Sequence, residues 1–256
     1  MIISDKYEYC GNYFTIPKQG KYLDTIWLNF DVKKLPIGCM WDEYFIFKYI
    51  KCITVKISDT IFYKTNGLCL KANIDTKTPK SKMALFKYSN TSDKNKLNFA
   101  ANNDINHFIP IELPFQLPLD VWYNVKINIE FNKNITSPIM ADLPIKTNLF
   151  FNYNNELNEN KIITSKIYPE CHHLPQPYCE KIKIDENYNV YKHEMTCYEF
   201  IKYLLIYVDG DINIGHITIT FNKSVSRAYT FTEMNVLFPY LNSININEKE
   251  IFIPFK

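Results

Sequence analysis

Cysteine and histidine side chains recur in a polar, proline-rich part of the chain, between residues 171 and 197. The four possible metal ligands among them are Cys171, Cys179, His193 and Cys197. Thiolate and imidazole groups are the ligands that structural zinc takes, four to a tetrahedron. The separation of Cys171 and Cys179 is too wide for a zinc knuckle, so the sequence favours loop histidines and buried thiols over a zinc site. These four side chains are nevertheless the candidates to examine.

Acidic side chains are a second possible source of chemistry. Asp24, Asp31 and Glu43 could be the paired carboxylates of a glycosidase, but nothing in the sequence makes them converge, and solvated surface charge is the better interpretation. The Asp-Gly-Asp sequence at residues 209–211 lacks the calcium-loop pattern and is typical of a hairpin turn. The chain has no nucleophile elbow, phosphate-binding glycine loop or zinc-protease motif. We therefore predict no catalytic residue, no cofactor and no enzymatic activity.

Alternating apolar and polar residues predict β-strands along most of the chain. In the clearest run, Val125, Ile127 and Ile129 share one face, and Lys126 and Asn128 share the other. Such alternation is typical of a strand that is buried on one side only. Similar runs occupy residues 25–32, 51–57, 149–153, 181–184, 201–208, 217–221 and 244–247.

Helical periodicity is weak throughout, and residues 194–203 are the best helical candidate. Two polar regions, residues 73–106 and 154–177, are predicted to be loops. Many short strands with little helix indicate an all-β protein, an antiparallel jelly-roll β-sandwich. We expect the jelly roll over residues 10–155. Residues 156–256 would form a partial second roll or a β-rich C-terminal extension.

Composition narrows the class of partners. The 256 residues are 46% hydrophobic, which excludes a disordered chain. A net charge of +2 and a single arginine, Arg227, give no reason to expect nucleic acid as a partner. No signal peptide and no apolar run of about 18 residues is visible, so we expect no membrane span. The seven cysteines are an odd number, and we expect mostly buried free thiols in a reducing compartment.

Three segments resemble the N-terminal jelly roll of the major capsid proteins of nucleocytoplasmic large DNA viruses. Residues 13–28 are similar to that family's opening turn and strand, residues 47–67 to its next pair of strands, and residues 114–131 to its Leu-Pro-Phe run and the strand after it. Ser58 and Asp59 stand where the family has a Gly-Gly turn. Family members carry two complete rolls and are longer, so the resemblance implies a truncated, divergent or minor relative.

The resemblance implies a structural role. The chain would be a capsid protomer in the virion, assembled in the host cytoplasm. It would self-associate, with a trimer as the leading expectation, or dock on other capsid proteins. The polar region at residues 73–106 is the expected contact segment, and the abundant aromatic residues would suit large interfaces. The alternatives are a carbohydrate- or ligand-binding β-sandwich module, which needs a concave face with clustered aromatics, and an enzyme, which needs converging titratable groups.

Overall fold

The structure is a computed structural model that describes residues 2–77, 86–88, 90–122, 124–156, 203–208, 214–221, 225–241 and 250–254. The chain divides into two compact units. The described residues up to Lys71 and those from residue 86 to residue 156 belong to the first unit. Residues 72–77 and the described residues from 203 onwards belong to the second. The predicted boundary between residues 155 and 156 stays a prediction.

Two antiparallel sheets build the first unit. Its strands are β1 (Ile2–Ile3), β2 (Tyr7–Glu8), β3 (Phe14–Thr15), β4 (Tyr22–Val32), β5 (Met40–Trp41), β6 (Ile50–Ile57), β7 (Thr60–Thr65), β8 (Ile105–Pro118), β9 (Val125–Phe131), β10 (Thr136–Ser137) and β11 (Ile145–Asn154). The first sheet has the order β1-β11-β4-β8, with β2 also paired to β11. The second sheet has the order β3-β9-β6-β7. Strands β5 and β10 form a separate two-stranded ribbon.

The inner faces of these sheets carry the apolar residues that alternation predicted. Ile26, Leu28 and Phe30 on β4 are fully buried, and Ile127 and Ile129 on β9 are 0% and 3% exposed. Because side chains alternate along a strand, these positions also fix the register of each strand in its sheet. The prediction of an all-β, antiparallel jelly-roll sandwich is confirmed.

Three helices interrupt the strands: α1 (Phe45–Tyr49), α2 (Gly67–Lys77) and α3 (Lys94–Asn102). The prediction that residues 73–106 form a loop is therefore wrong. Helix α3 begins at an Asp93 cap, whose side chain accepts a hydrogen bond from the Asn95 backbone at 2.8 Å. Its buried residues are Leu97, Ala100 and Ala101, a stripe too narrow to stand out in so polar a sequence.

Ser58 and Asp59 form the turn between β6 and β7. Because Ile57 pairs with Thr60, the hairpin loop consists of Ser58 and Asp59 alone. Ser58 takes a left-handed backbone conformation, with a φ of 54°. Glycine adopts this conformation at little cost, whereas other residues are strained in it by about 1 kcal/mol.

Strand β8 lies at an edge of the first sheet. Among the described strands, it pairs with β4 alone. Two of its prolines lie within this pairing, Pro110 opposite Trp27 and Pro118 opposite Tyr22. Proline has no N–H to donate, so it is tolerated in a sheet where its nitrogen faces away from the neighbouring strand.

The second unit is also rich in strands. Its described elements are β12 (Tyr203–Tyr207), β13 (His216–Phe221), β14 (Val225–Thr230), a π-helical turn (Glu233–Leu237), α4 (Phe238–Leu241) and β15 (Glu250–Pro254). Strand β12 pairs with β15, and β13 with β14, both antiparallel. Buried Met234, Ile251 and Ile253 form its apolar centre, against which Ile217 and Ile219 of β13 pack. The strands predicted at residues 201–208 and 217–221 are confirmed, whereas residues 157–202 and 242–249 lie outside the described residues.

Candidate functional site

The four candidate zinc ligands lie outside the described residues, as does the Asp-Gly-Asp sequence at residues 209–211, for which a hairpin turn was predicted. The zinc candidates are Cys171, Cys179, His193 and Cys197. The described part of the chain contains no group of three or more histidine, cysteine, aspartate or glutamate side chains that could hold a metal ion.

Four cysteines do lie in described segments, and all four are free thiols. Only Cys69 is buried, Cys39 and Cys52 are half-buried, and Cys10 is exposed. The prediction of mostly buried thiols is therefore wrong for these four. Cys10 and Cys39 lie in irregular segments, Cys10 before β3 and Cys39 directly before β5. Cys52 lies on β6, opposite Glu130 of β9.

Two of the three acidic residues that were weighed as glycosidase carboxylates, Asp24 and Asp31, do not converge. Asp24 and Asp31 lie seven residues apart on β4, which at strand geometry is about 23 Å. A glycosidase needs its two carboxyl groups within about 10 Å. Asp24 accepts hydrogen bonds from Thr25 and Gln116, whereas Asp31 interacts with a different set of side chains. The interpretation of these acids as separate surface groups fits this geometry.

Asp31 belongs to a row of polar side chains on the outer face of the first sheet. Asn148 donates to Asp31 at 3.0 Å and to Asn29 at 3.2 Å, and Asn29 donates to Asn106 at 2.5 Å. Lys6 forms a 3.1 Å ion pair with Asp31. Partial burial acts to raise the pKa of Asp31, but the Lys6 hydrogen bond and charge outweigh it and lower that pKa. The row joins three neighbouring strands and keeps its one carboxylate charged.

An open depression of about 610 Å³ lies at the end of this row, lined in part by Lys33, Asp104 and Lys146. Lys33 and Asp104 form a 2.8 Å ion pair. The hydrogen bond from Lys33 lowers the pKa of Asp104, so both groups stay charged at neutral pH. Ion pairs that are open to solvent in this way contribute little to stability, and the depression contains no group poised for proton transfer among the described residues that line it.

His107 has the most perturbed environment of the described histidines. Its ring lies on the inner face of β8, 4% exposed, edge-to-face with Phe45 at 5.7 Å between centroids. Its Nε2 atom has no hydrogen-bond partner. Burial lowers the pKa of His107 to about 4, so the imidazole is neutral at pH 7. Among the described residues, no charged group perturbs its pKa in addition to burial, and the side chain is part of the core.

Exposed aliphatic side chains cluster on two adjacent loops. Ile37, 106% exposed, is at the tip of a turn closed by the Cys39 N–H bonded to the Pro36 carbonyl at 3.1 Å. Ile139, 69% exposed, follows the strand that pairs with Met40, so the two loops run side by side. We call Ile37, Met40 and Ile139 the Ile37 patch. Sequence reasoning missed it, although the Pro-Ile-Gly turn signal at residues 36–38 was available.

Most described aromatic residues lie inside the first unit rather than on its surface. Trp41 stacks on Phe45 at 4.5 Å, and Tyr49 stacks on Phe131 at 4.4 Å. Tyr13, Phe99 and Phe108 are exposed, at 47%, 46% and 48%, and the expectation that aromatic residues serve large interfaces stays a prediction. Among the helices described, none has the length and apolar composition needed to cross a bilayer.

Comparison with known proteins gives a fold-level result. No protein-family model and no curated protein matches the sequence. Among solved structures, the chain is similar to the crystal structure of the STIV major capsid protein, at 10% identity and a TM-score of 0.56, covering 100% of this chain and 85% of that one. It is also similar to a chain of the Sulfolobus Turreted Icosahedral Virus atomic structure, at 10% identity and a TM-score of 0.58, covering 99% and 79%.

A quasi-atomic PBCV-1 capsid is a third similar structure, at 14% identity and a TM-score of 0.44. That match covers 59% of this chain, which spans only 40% of the PBCV-1 chain's length. The predicted resemblance to viral capsid jelly rolls is confirmed at the level of the fold. The chain has the β-sandwich fold of viral major capsid proteins.

Proposed function

We propose that this chain is a structural protein of a viral capsid, a jelly-roll protomer that assembles through protein–protein contacts. The observation that carries the proposal is the match to the STIV major capsid protein, which extends over the whole of this chain. A match over a single sandwich would be compatible with many unrelated functions. Here the similarity also includes the second β-rich unit, and it therefore favours a capsid function for this chain.

The Ile37 patch supplies a surface for such contacts. Ile37 and Ile139 are 106% and 69% exposed at loop tips, where they add nothing to the core of the chain. Apolar side chains at the centre of an interface are buried on association, and shell lattices repeat one such contact many times. The expectation that residues 73–106 form the contact segment stays a prediction, although α3 within that segment buries Leu97 and Ala100.

The expected assembly is a trimer, or a minor component docked on another capsid protein, located in the virion after assembly in the host cytoplasm. Purified protein analysed by size-exclusion chromatography with light scattering should give a mass above that of the monomer. Electron microscopy of the same fractions should show compact, symmetric particles.

The decisive variant combines Ile37→Asp with Ile139→Asp. Because both side chains are exposed, the fold should persist, whereas two buried charges at an interface should weaken association at least tenfold. Asn95→Asp with Asn155→Asp adds the same charge at other exposed positions and is the matched control. A wild-type chain that stays monomeric at high concentration and binds no capsid component would refute the proposal. Equal weakening in both double variants would refute the role of the Ile37 patch.

A further inference from the structure

Three lysines lie close together on the outer face of the second sheet. Lys56 on β6 is directly opposite Lys126 on β9. Lys64 on β7 is opposite Thr54, two residues along β6 from Lys56, and is thus the diagonal neighbour of Lys56. Directly opposed side chains have Cα atoms about 5 Å apart, and like charges there repel. We call Lys56, Lys64 and Lys126 the lysine row.

Among the described residues, no ion pair relieves this repulsion. The lysine row takes part in none of the ion pairs formed among the described residues, whereas Lys51 and Glu130, further along the same two strands, form a pair at 3.3 Å. Lys56 instead lies over an aromatic ring, with its Nζ atom 4.6 Å from the centroid of Tyr13. The row is therefore a patch of uncompensated positive charge, bounded at one end by a neutral pair.

Apolar surface flanks the charge. Tyr13 is 47% exposed, and Ile61, which pairs with Lys56, is 49% exposed. Between the lysines, Thr54 and Asn128 lie opposite each other; Thr54 is 8% exposed, and Asn128 accepts a 3.1 Å hydrogen bond from the Tyr9 hydroxyl. A row of positive charge beside exposed apolar side chains offers a partner both charge complementarity and apolar contact area.

We propose that this face binds an acidic segment of a partner polypeptide, with carboxylates facing the lysine row and apolar residues against Tyr13 and Ile61. Charge complementarity favours an anionic partner. Alternate carboxylates of an extended segment stand about 7 Å apart, close to the diagonal spacing of lysines on neighbouring strands.

The extent of the patch favours a polypeptide over nucleic acid. Proteins that track a phosphate backbone contact about 6–10 phosphates, whereas the lysine row offers three charges before the neutral Lys51–Glu130 pair. The row also contains no arginine, the residue that binds phosphate through two parallel hydrogen bonds. A short acidic segment needs no more than three point charges.

The test uses the full-length chain and a fluorescently labelled octaglutamate peptide, with binding followed by anisotropy. Wild type should bind, and the affinity should fall several-fold between about 50 and 200 mM salt because the pairs are exposed. Lys56→Gln, Lys64→Gln and Lys126→Gln together should weaken binding about tenfold. The matched control is Lys6→Gln, Lys33→Gln and Lys146→Gln, which removes the same charge from lysines already in ion pairs.

Amine-reactive footprinting of wild type gives a second measurement that needs no variant. Bound peptide should protect Lys56, Lys64 and Lys126 from modification and leave Lys33 reactive. Absence of peptide binding, equal loss in both triple variants, or no protection of the lysine row would overturn the proposal. Tighter binding of a single-stranded oligonucleotide or of anionic vesicles than of the peptide would also overturn it. The inference does not rest on the shell role, because light scattering reads self-association separately.

Discussion

Burial of His107 should make the first unit sensitive to mild acid. The imidazole is 4% exposed, and burial lowers its pKa to about 4 in the folded chain. In the unfolded chain, an unperturbed histidine has a pKa of about 6.5. Between these two values the unfolded chain binds the proton and the folded chain does not. The contribution of neutral His107 to the free energy of unfolding is therefore fully present above about pH 6.5, and it is lost as the pH drops towards 4.

The two pKa values set the size of the effect. Linkage gives a loss of about 2 kcal/mol in the free energy of unfolding between pH 7 and pH 5, and of about 3 kcal/mol by pH 4. Carboxylates with lowered pKa, such as Asp31 and Asp104, lose their contribution only below about pH 4, where they are protonated in the unfolded chain. The interval from pH 7 to pH 5 is thus the one in which His107 dominates.

Urea denaturation followed by tryptophan fluorescence measures this loss. The three tryptophans, Trp27, Trp41 and Trp122, all belong to the first unit, so their emission reports on the unit that holds His107. His107→Phe keeps a ring against Phe45 and should flatten the pH dependence.

The matched control replaces an exposed imidazole, His216→Gln. An unchanged stability of wild type between pH 7 and pH 5 would refute the reasoning. So would the same pH dependence in His107→Phe as in wild type.

Four further variants or measurements test other parts of the structure. Ile127→Ala should destabilise the first unit by about 2–5 kcal/mol, because the side chain is fully buried, and a denaturation midpoint unchanged from wild type would contradict the register of β9. Gly67→Ala should lower the free energy of unfolding by about 3 kcal/mol or prevent folding, since a Cβ atom there would overlap the Phe47 carbonyl oxygen. Gly38→Ala has open space around it and should lower that free energy by only about 1 kcal/mol in the same denaturation experiment. Ser58→Gly should raise the melting temperature by a few degrees by relieving the positive φ, and a lowered value would exclude strain at this turn. Alkylation of freshly isolated, denatured protein without reductant, followed by mass spectrometry, should count seven free thiols, whereas a Cys171–Cys179 disulfide would refute the prediction of a reducing compartment.

The strands could be predicted because their apolar residues repeat every second position. Ile26, Leu28 and Phe30 show this repeat, and so do the buried residues of β9. Helix α3 escaped prediction because its inward side is made of Leu97 and two alanines in a run of asparagine and lysine. The cap at Asp93 was a signal that could have found it.

The interaction surfaces could not be predicted for a different reason. Lys56 and Lys64 lie on the two strands of one hairpin, but Lys126 is far from both in sequence, and only the pairing of β9 with β6 brings it beside them. Cross-strand register between distant segments cannot be read from one sequence without knowing which strands are neighbours. The same holds for Tyr9, whose hydroxyl accepts a 2.7 Å hydrogen bond from the Ile129 N–H 120 residues away.

The prolines of β8 have a consequence for how copies of the chain can meet. An edge strand of 14 residues would ordinarily be a template for the edge of another molecule, and pairing of that kind continues without limit into fibres. At Pro110 and Pro118 this strand has no N–H for a foreign strand to bond. An uninterrupted ladder along β8 therefore cannot form, and a crowded pool of newly made chains is protected from edge-to-edge polymerisation there. Along β8, contacts between copies therefore depend on side chains, whose shapes and charges can limit association to one geometry of finite size.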